Sequence, residues 1–360
     1  MVVPSDGPAP SSAAEVTTDV DGHAEYTYLG RYVGTDTITV WLDRNLDGTA
    51  DPDEPQATLS KEWIAVERLF GTDRLLTAVD ISQDSYGDDQ ATAVVLARAD
   101  DFADALAGTP FAVANDAPML LTFPDTLAAS AADEMARVLP DGATVYLLGG
   151  ENALSGDVAD AVTALGFVVD RIQGQTRIET SIEVAHRLGD PATLLVTTGY
   201  DFPDALSAGA AAANADGAVV LSTAEVPHPS TTAYLDSQPA AEVFAVGGPA
   251  ARAYPGVTAV FGPSREETAI AVAEEFFESP TVVGLARRDR FADALTGGAH
   301  IAGHGGPMLL TPQDHLHAAV IEYLCAGHVL GAFLYGGEAA LTADVADAVP
   351  LMLDGTGCPA

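Results

Sequence analysis

The sequence predicts an α/β protein built from one parallel-sheet module written three times, and three recurring markers carry that reading. The hexad Asp101–Leu106 (DFADAL) returns as Asp201–Leu206 (DFPDAL) and as Arg290–Leu295 (RFADAL), 100 and then 89 residues apart. A glycine pair closing an apolar run travels with it, as Gly149–Gly150, Gly247–Gly248 and Gly336–Gly337, at spacings of 98 and 89. Gly-x-x-Arg recurs as Gly71…Arg74, Gly174…Arg177 and Gly262…Arg265, at 103 and 88. A weaker fourth marker, PMLLT at 118–122 and 307–311, has AVVLS at 218–222 as its counterpart. A unit of roughly 90–100 residues holds a small α/β layer but leaves much of its surface open, so the three units are expected to pack together.

The elements follow in chain order. Residues 1–23, rich in Pro, Ser, Ala and Thr, read as a disordered lead-in. Over 24–63 the alternation of apolar and polar residues predicts β structure: one strand from Ala24, a turn region at Gly30–Gly34, and a second strand over 36–41. Two strands do not make a stable sheet alone, so this fragment reads as the last hairpin of a β-sandwich; residues 24–63 loosely resemble the end of a bacterial immunoglobulin-like domain. Repeat one (64–170) alternates strand and helix: a helix after Asp73, an apolar strand at 91–97, the Asp101–Leu106 helix and a strand over 119–122. A helix over 127–139, a strand at 144–148, a helix over 157–165 and a strand at 167–172 complete it. Strands that are apolar throughout and separated by helices imply a parallel sheet covered on both faces. Repeats two (171–258) and three (259–345) read the same way, and the tail (346–360) ends in one further helix begun near Thr342.

Composition narrows the partners. Fifty-two acidic residues against 15 basic ones give a formal charge of −37, and Lys61 is the one lysine. Such a chain repels nucleic-acid phosphates and anionic lipid, which argues against both as partners. Acidity with few lysines fits work in concentrated salt, and the Ala/Arg usage fits GC-rich coding; neither is a function. No apolar run reaches the roughly 18 residues of a membrane span. The opening residues lack the basic start and apolar core of a signal peptide. Taken literally that means a cytoplasmic protein; the β fragment, which reads as the interior of a domain, points equally to a truncated chain. Cys325 and Cys358 have no metal-site spacing, and stand either as a disulfide tying the tail to repeat three or as unrelated thiols.

Residues 43–54 match the calcium-loop pattern D-x-[DN]-x-[DN]-G-x5-E at every position. Oxygens of Asp43, Asn45, Asp47, Asp51 and Glu54, with the Thr49 carbonyl, are the expected ligands of a structural Ca2+; the alternative is an acidic turn in an acidic protein. Its flanks are strand-like, so it is not an EF-hand. Asp101 is placed to cap a helix. Asp104, Asp204 and Asp293 recur where the cap does not, which points to a specific contact. The glycine pairs occupy a strand-to-helix site where phosphate meets backbone amides, but without G-x-G-x-x-G a tight turn explains them better. Hydrolase motifs G-x-S-x-G and H-E-x-x-H are missing from the sequence. His300 and His304 have the i, i+4 spacing of a metal pair, yet Gly303–Gly306 argues against a regular helix there. Arginine is the sharpest signal: seven of fourteen (Arg68, Arg74, Arg98, Arg171, Arg177, Arg265, Arg287) sit at shared motif positions. They are read as anion-binding groups or as partners of Asp101, Asp104 and their copies.

The stretches 68–78, 96–107, 117–122, 145–154 and 174–180 resemble the cell-wall-binding repeat type 2 proteins of Gram-positive surfaces, and the likeness covers about 66–345. The resemblance implies three Rossmann-like or flavodoxin-like units in a pseudo-threefold arrangement. It also implies a location at the cell surface or outside the cell, and non-catalytic attachment of a surface protein, beside a separate effector domain, to an anionic wall glycopolymer. On that reading Arg74, Arg98, Arg177, Arg265 and Arg287, with Asp104, Asp204 and Asp293, are the polymer-binding residues. An enzyme acting on a glycan or nucleotide-like ligand at the strand ends, or a structural surface-layer subunit, are the alternatives. This chain departs from the pattern at Thr198 (for Arg98), Ala218 (for the proline) and Arg290 (for the aspartate).

Overall fold

In the computed structural model, residues 2–5, 16–24, 26, 34–45 and 51–359 are described. An antiparallel sheet opens the chain, formed by β1 (Val2–Ser5), β2 (Gly34–Trp41) and β3 (Gln56–Trp63) in that order. The lead-in is therefore not unstructured throughout: the backbone of Val2–Ser5 pairs with that of Thr37–Val40. Pro4 is tolerated there because β1 is an edge strand. Of the strand expected from Ala24, Ala24 and Tyr26 are described and lie in no strand; its other residues and most of the Gly30–Gly34 turn fall outside the described residues. β2 and β3 pair from Gly34↔Trp63 to Trp41↔Gln56, so the acidic loop is the connection of a hairpin. Buried Asp36 accepts from the Trp63 indole N–H at 2.6 Å and ties the two strands.

Next come β4 (Ala65–Leu69), α1 (Arg74–Ser85), β5 (Ala93–Arg98), α2 (Gly108–Ala114), β6 (Met119–Thr122), α3 (Ala129–Val138), β7 (Thr144–Leu148), α4 (Gly156–Ala164) and β8 (Val168–Ile172). The second round runs α5 (Arg177–Arg187), β9 (Thr193–Thr198), α6 (Pro203–Asn214), β10 (Ala218–Ser222), α7 (Pro229–Ser237), β11 (Glu242–Val246), α8 (Gly248–Ala253) and β12 (Thr258–Val260). The third runs α9 (Arg265–Phe276), β13 (Val282–Arg287), α10 (Ala292–Gly303), β14 (Met308–Thr311), α11 (Ala318–Leu324), β15 (Gly331–Tyr335) and α12 (Ala343–Leu353).

These strands build three parallel sheets, ordered β6-β5-β7-β8, β10-β9-β11-β12 and β14-β13-β15-β4. The sheet of repeat three is thus completed by a strand from before repeat one. Gly331–Tyr335 pairs in register with Ala65–Leu69. Each edge strand (β8, β12, β4) joins one sheet, while the helix after it (α5, α9, α1) packs on the next. Three such crossings make a closed ring. Helices α2, α6 and α10 pack on one another at its centre. Small residues allow that approach: Ala208 and Ala210–Ala212 are buried, and a Cβ on Gly209 would lie 3.0 Å from Thr109. One apolar cluster runs through all three units.

One element departs from expectation. In repeats two and three the helix begins within the hexad, at Pro203 and Ala292, but in repeat one residues 103–107 are turns and α2 starts at Gly108. Pro110 is the cause. It has no N–H to donate to the carbonyl of Leu106, so a regular ladder cannot run back through the hexad. The corresponding positions hold Ala210 and Ala299. At the other end of the chain, Cys325 and Cys358 form a disulfide, with Cα atoms 5.8 Å apart, that ties the tail after α12 to α11.

Candidate functional site at the junctions of the ring

Each junction is built from an edge strand turning sharply into the next helix. A Cβ on Gly71, Gly174 or Gly262 would lie 2.3–2.5 Å from the side chain of Leu76, Glu179 or Glu267, so only glycine lets the strand end meet the first helical turn. The glycine N–H donates to a threonine hydroxyl six residues on: Gly71 to Thr77 (3.0 Å), Gly174 to Thr180 (3.0 Å) and Gly262 to Thr268 (3.2 Å). Asp73, Thr176 and Ser264 cap the helices through their side-chain oxygens. The next residue in each case is the recurring arginine.

The arginines divide into two sets. Arg74, Arg177 and Arg265 each donate one guanidinium N–H to a backbone carbonyl at the end of the first strand of its own repeat's sheet: Ala99 at 2.6 Å, Gly199 at 2.8 Å and Arg288 at 2.9 Å. Their planes lie near aromatic rings. Arg74 is 5.4 Å from the Phe291 centroid, and Arg177 is 5.7 Å from that of Phe102 and 5.3 Å from that of Tyr200. Among the described residues no carboxylate lies at ion-pair distance from Arg74 or Arg177, whereas Arg265 is 3.7 Å from Asp201. Arg98 and Arg287, at strand ends, are instead clasped by Asp100 and Asp289. Arg98 reaches both Asp100 oxygens (2.8 and 2.9 Å), and each arginine also donates to a carbonyl across the groove, Asn152 or Ala339. The hydrogen bond to arginine holds the carboxyls of Asp100 and Asp289 below their usual pKa. For Arg98 and Arg287 the partners are thus the residues just before the hexads, whereas Arg265 meets Asp201, the copy of Asp101.

Asp104, Asp204 and Asp293 face the positive-φ glycines. A Cβ at Gly149, Gly247 or Gly336 would fall 2.7, 1.9 or 2.5 Å from an aspartate Oδ2, and the φ values are 98°, 89° and 96°. The hexad aspartate and the glycine pair therefore recur together because one occupies the space the other leaves. Thr180 donates to Asp104 at 2.7 Å. Burial raises the pKa of Asp204 to about 6, with Asp201 adding to the rise and Arg265 opposing it. Asp293 is raised by burial against the opposing charge of Arg74. Asp101 accepts from the Ala103 N–H at 3.0 Å, a local turn bond of the capping kind. Grooves of about 380 Å3 lie beside Arg74 and Asp293 at one junction and beside Arg265 and Asp204 at another.

Two sets of residues escaped the sequence reading. Thr77, Thr180 and Thr268 recur at the same 103- and 88-residue intervals as the arginines, a signal open to inspection. Phe102, Phe202 and Phe291, second residues of the hexads, meet at the pseudo-threefold axis with centroids 5.4, 5.7 and 6.1 Å apart, edge to face. Elsewhere, the described half of the acidic loop brings Asn45 to Asp51 (2.9 Å) and turns Glu54 inward, where it accepts from the N–H groups of Arg44 (2.6 Å) and Asp51 (3.4 Å). Asp43 flanks this turn; Asp47 and Thr49 lie outside the described residues.

A closed ring of three α/β units, with the same arginine, aspartate and glycine set at each junction, defines a repeat-built binding module. The chain belongs to the cell wall binding domain 2 family, which matches residues 68–159, 171–253 and 260–346, and the three repeats form a cell-wall-binding module associated with the cell surface. Among curated proteins it is similar to the N-acetylmuramoyl-L-alanine amidase LytC of Bacillus subtilis (23% identity over 289 residues, 79% of this chain and 58% of that protein). It is also similar to the amidase enhancer of the same organism (27% over 256 residues, 70% and 36%). The chain thus spans about a third to three fifths of the curated relatives it matches. Solved structures of similar fold include Cwp8 (TM-score 0.72, 22% identity, 90% of this chain and 59% of that one) and Cwp6 (0.76, 23%, 89% and 52%), both from Clostridium difficile. Among the described residues no helix is long and apolar enough to cross a membrane.

Proposed function

We propose that the ring is a non-catalytic anchor that works outside the cell and holds an anionic wall glycopolymer through Arg74, Arg177 and Arg265. The observation that carries this reading is their common placement: each stands at a helix N-terminus on the carboxyl face of the sheets, oriented by a backbone carbonyl at the end of the strand that follows its helix. Held by one N–H, the guanidinium groups of Arg74 and Arg177 keep their other donors for phosphate or carboxylate, while Arg265 also faces Asp201 at 3.7 Å; arginine stays charged at any wall pH. Arg98 and Arg287, engaged by Asp100 and Asp289, shape the groove walls. Asp104, Asp204 and Asp293 set the groove floors and accept sugar hydroxyls where their oxygens reach the ligand. Three sites on one rigid body act together through effective concentration, so individually weak contacts give firm attachment. The −37 charge opposes this, and salt or divalent cations must screen it while the close contacts persist.

The test is sedimentation of the whole chain with purified wall material. The triple variant Arg74→Ala, Arg177→Ala, Arg265→Ala is expected to lose at least about tenfold in binding, at about 1.5–3 kcal/mol for each charge-assisted contact, with its circular dichroism unchanged. Wild-type binding should survive moderate salt. Full binding by the folded variant moves the site elsewhere.

A further inference from the structure

We infer that Asp84, His300 and His304 form a site for one divalent transition-metal ion of the zinc class, clipping α1 to α10 across the junction where the ring closes. One ligand atom from each residue lies within 4.8 Å of the others. Contrary to the expectation from Gly303–Gly306, α10 continues through His300 to Gly303, and the His304 N–H still bonds to the His300 carbonyl. The two imidazoles therefore share one helix face, with ring centroids 4.4 Å apart.

The surroundings fix which nitrogens are offered. His304 donates Nδ1–H to the His300 carbonyl at 2.9 Å, which leaves its Nε2 lone pair outward. His300 Nδ1 lies 2.7 Å from the Tyr335 hydroxyl, and its Nε2 lies 2.8 Å from Asp84 Oδ2. Without metal, Nε2–H donates to the carboxylate and Nδ1 accepts from the tyrosine. With metal on Nε2, the proton resides on Nδ1 and the hydroxyl accepts it, so a neutral ring serves both states.

His300 is buried and packed edge-on against Phe333 (4.7 Å), whereas Asp84 and His304 are exposed. Tetrahedral zinc places its ligand atoms about 3.3 Å apart. Closing to that distance asks movement only of the two exposed side chains. A cavity of about 310 Å3 borders all three residues and leaves room for water as a fourth ligand. Two imidazoles with one carboxylate suit Zn2+, Co2+ or Ni2+ rather than Ca2+ or Mg2+. Glu67 and Asp80 add negative charge nearby. The site is peculiar to this junction. At the repeat intervals, Asp84 corresponds to Arg187 and Glu275, His300 to Phe111 and Ala211, and His304 to Asn115 and Ala215.

The test uses the whole chain, stripped with chelator and kept in high salt with excess calcium so that surface carboxylates and the acidic loop do not count. Calorimetric titration with Zn2+ is expected to show one ion per chain, and Co2+ to give the visible bands of a four-coordinate site. His304→Asn, an exposed change, should weaken zinc binding by more than the roughly 10–100-fold typical of losing an outer-shell partner and abolish the rise in Tm that zinc gives the wild type. Asp84→Asn should act in the same direction. Wild-type protein that takes up no stoichiometric zinc overturns the proposal, as does His304→Asn protein that binds zinc as tightly as wild type.

Discussion

The junction between repeats one and two and the junction between repeats three and one have the same geometry but different chain connectivity. At the first, β8 follows its partner strand β7 in the chain through α4, so the strand that completes the sheet is covalently tied to it before running on into α5. At the second, the strand that completes the sheet of repeat three comes from residues 65–69, some 266 positions before its partner. Both junctions place an arginine on the glycine carbonyl of the adjacent strand: Arg171 on Gly149 (2.9 Å) and Arg68 on Gly336 (2.7 Å). The junction between repeats two and three has Ala259 there. Only the closing junction adds the Asp84–His300–Tyr335 chain of hydrogen bonds. Covalent continuity holds the first junction even when local contacts loosen. The closing junction depends on its contacts alone.

Substitutions can break this comparison. The largest effect is expected from Gly336→Ala against Gly149→Ala. Each forces a side chain into positive φ and against an aspartate, costing about 3 kcal/mol from backbone strain and overpacking. Urea unfolding should show both losses, but only Gly336→Ala should expose β4 to rapid hydrogen exchange. Next, Arg68→Met and Arg171→Met each remove a charged hydrogen bond worth about 1.5–3 kcal/mol. Amides of β4 should exchange faster in the first variant and at the wild-type rate in the second; equal behaviour would mean that the two junctions open together.

The third prediction concerns pH and sharpens the contrast among the grooves. Asp204 has its folded pKa raised to about 6, above the usual carboxylate value. Between about pH 4 and 6 the unfolded chain loses this proton first. The group's contribution is therefore most favourable below about pH 4, declines as pH rises to about 6, and is flat beyond. Asp204→Asn should remove that decline, so that its stability relative to wild type improves by about 1–3 kcal/mol from pH 4 to pH 7. Denaturant titrations at the two pH values measure it. The smallest effect lies outside the ring. If Asp43, Asn45, Asp51 and Glu54, with Asp47 and Thr49, hold Ca2+, calcium should raise the Tm of the β1–β3 sheet and leave the ring unchanged. Glu54→Ala should abolish calorimetric calcium uptake, and uptake unaffected by it would remove the loop from consideration.

The repeats, the sheet class and the recurring residues were legible in the sequence because each reflects a local demand: glycine where a carboxylate or a helix comes close, an arginine opening each helix, an apolar strand buried on both faces. Ring closure was not legible. Parallel pairing of Ala65–Leu69 with Gly331–Tyr335 leaves no periodic trace, since any apolar strand would suit that edge. The Asp84–His300 contact was hidden for the same reason, its members lying 216 residues apart. Pro110 shows a readable sign that was passed over: the hexads look alike, but the residue four positions beyond Leu106 decides whether a helix can run back through them.

Closure by strand exchange also fixes arithmetic. In an open stack of repeats, another copy can be appended at either end. Here every sheet already has its completing strand, and a fourth copy would find no place in the ring without changing the angle between all the others. A chain with only two copies would carry one leading strand without a sheet and one sheet without its last strand, a sticky pair that another molecule would satisfy. Copy number in such a protein is therefore a geometric quantity, set by the angle at each crossing, and valency cannot be tuned by simple duplication.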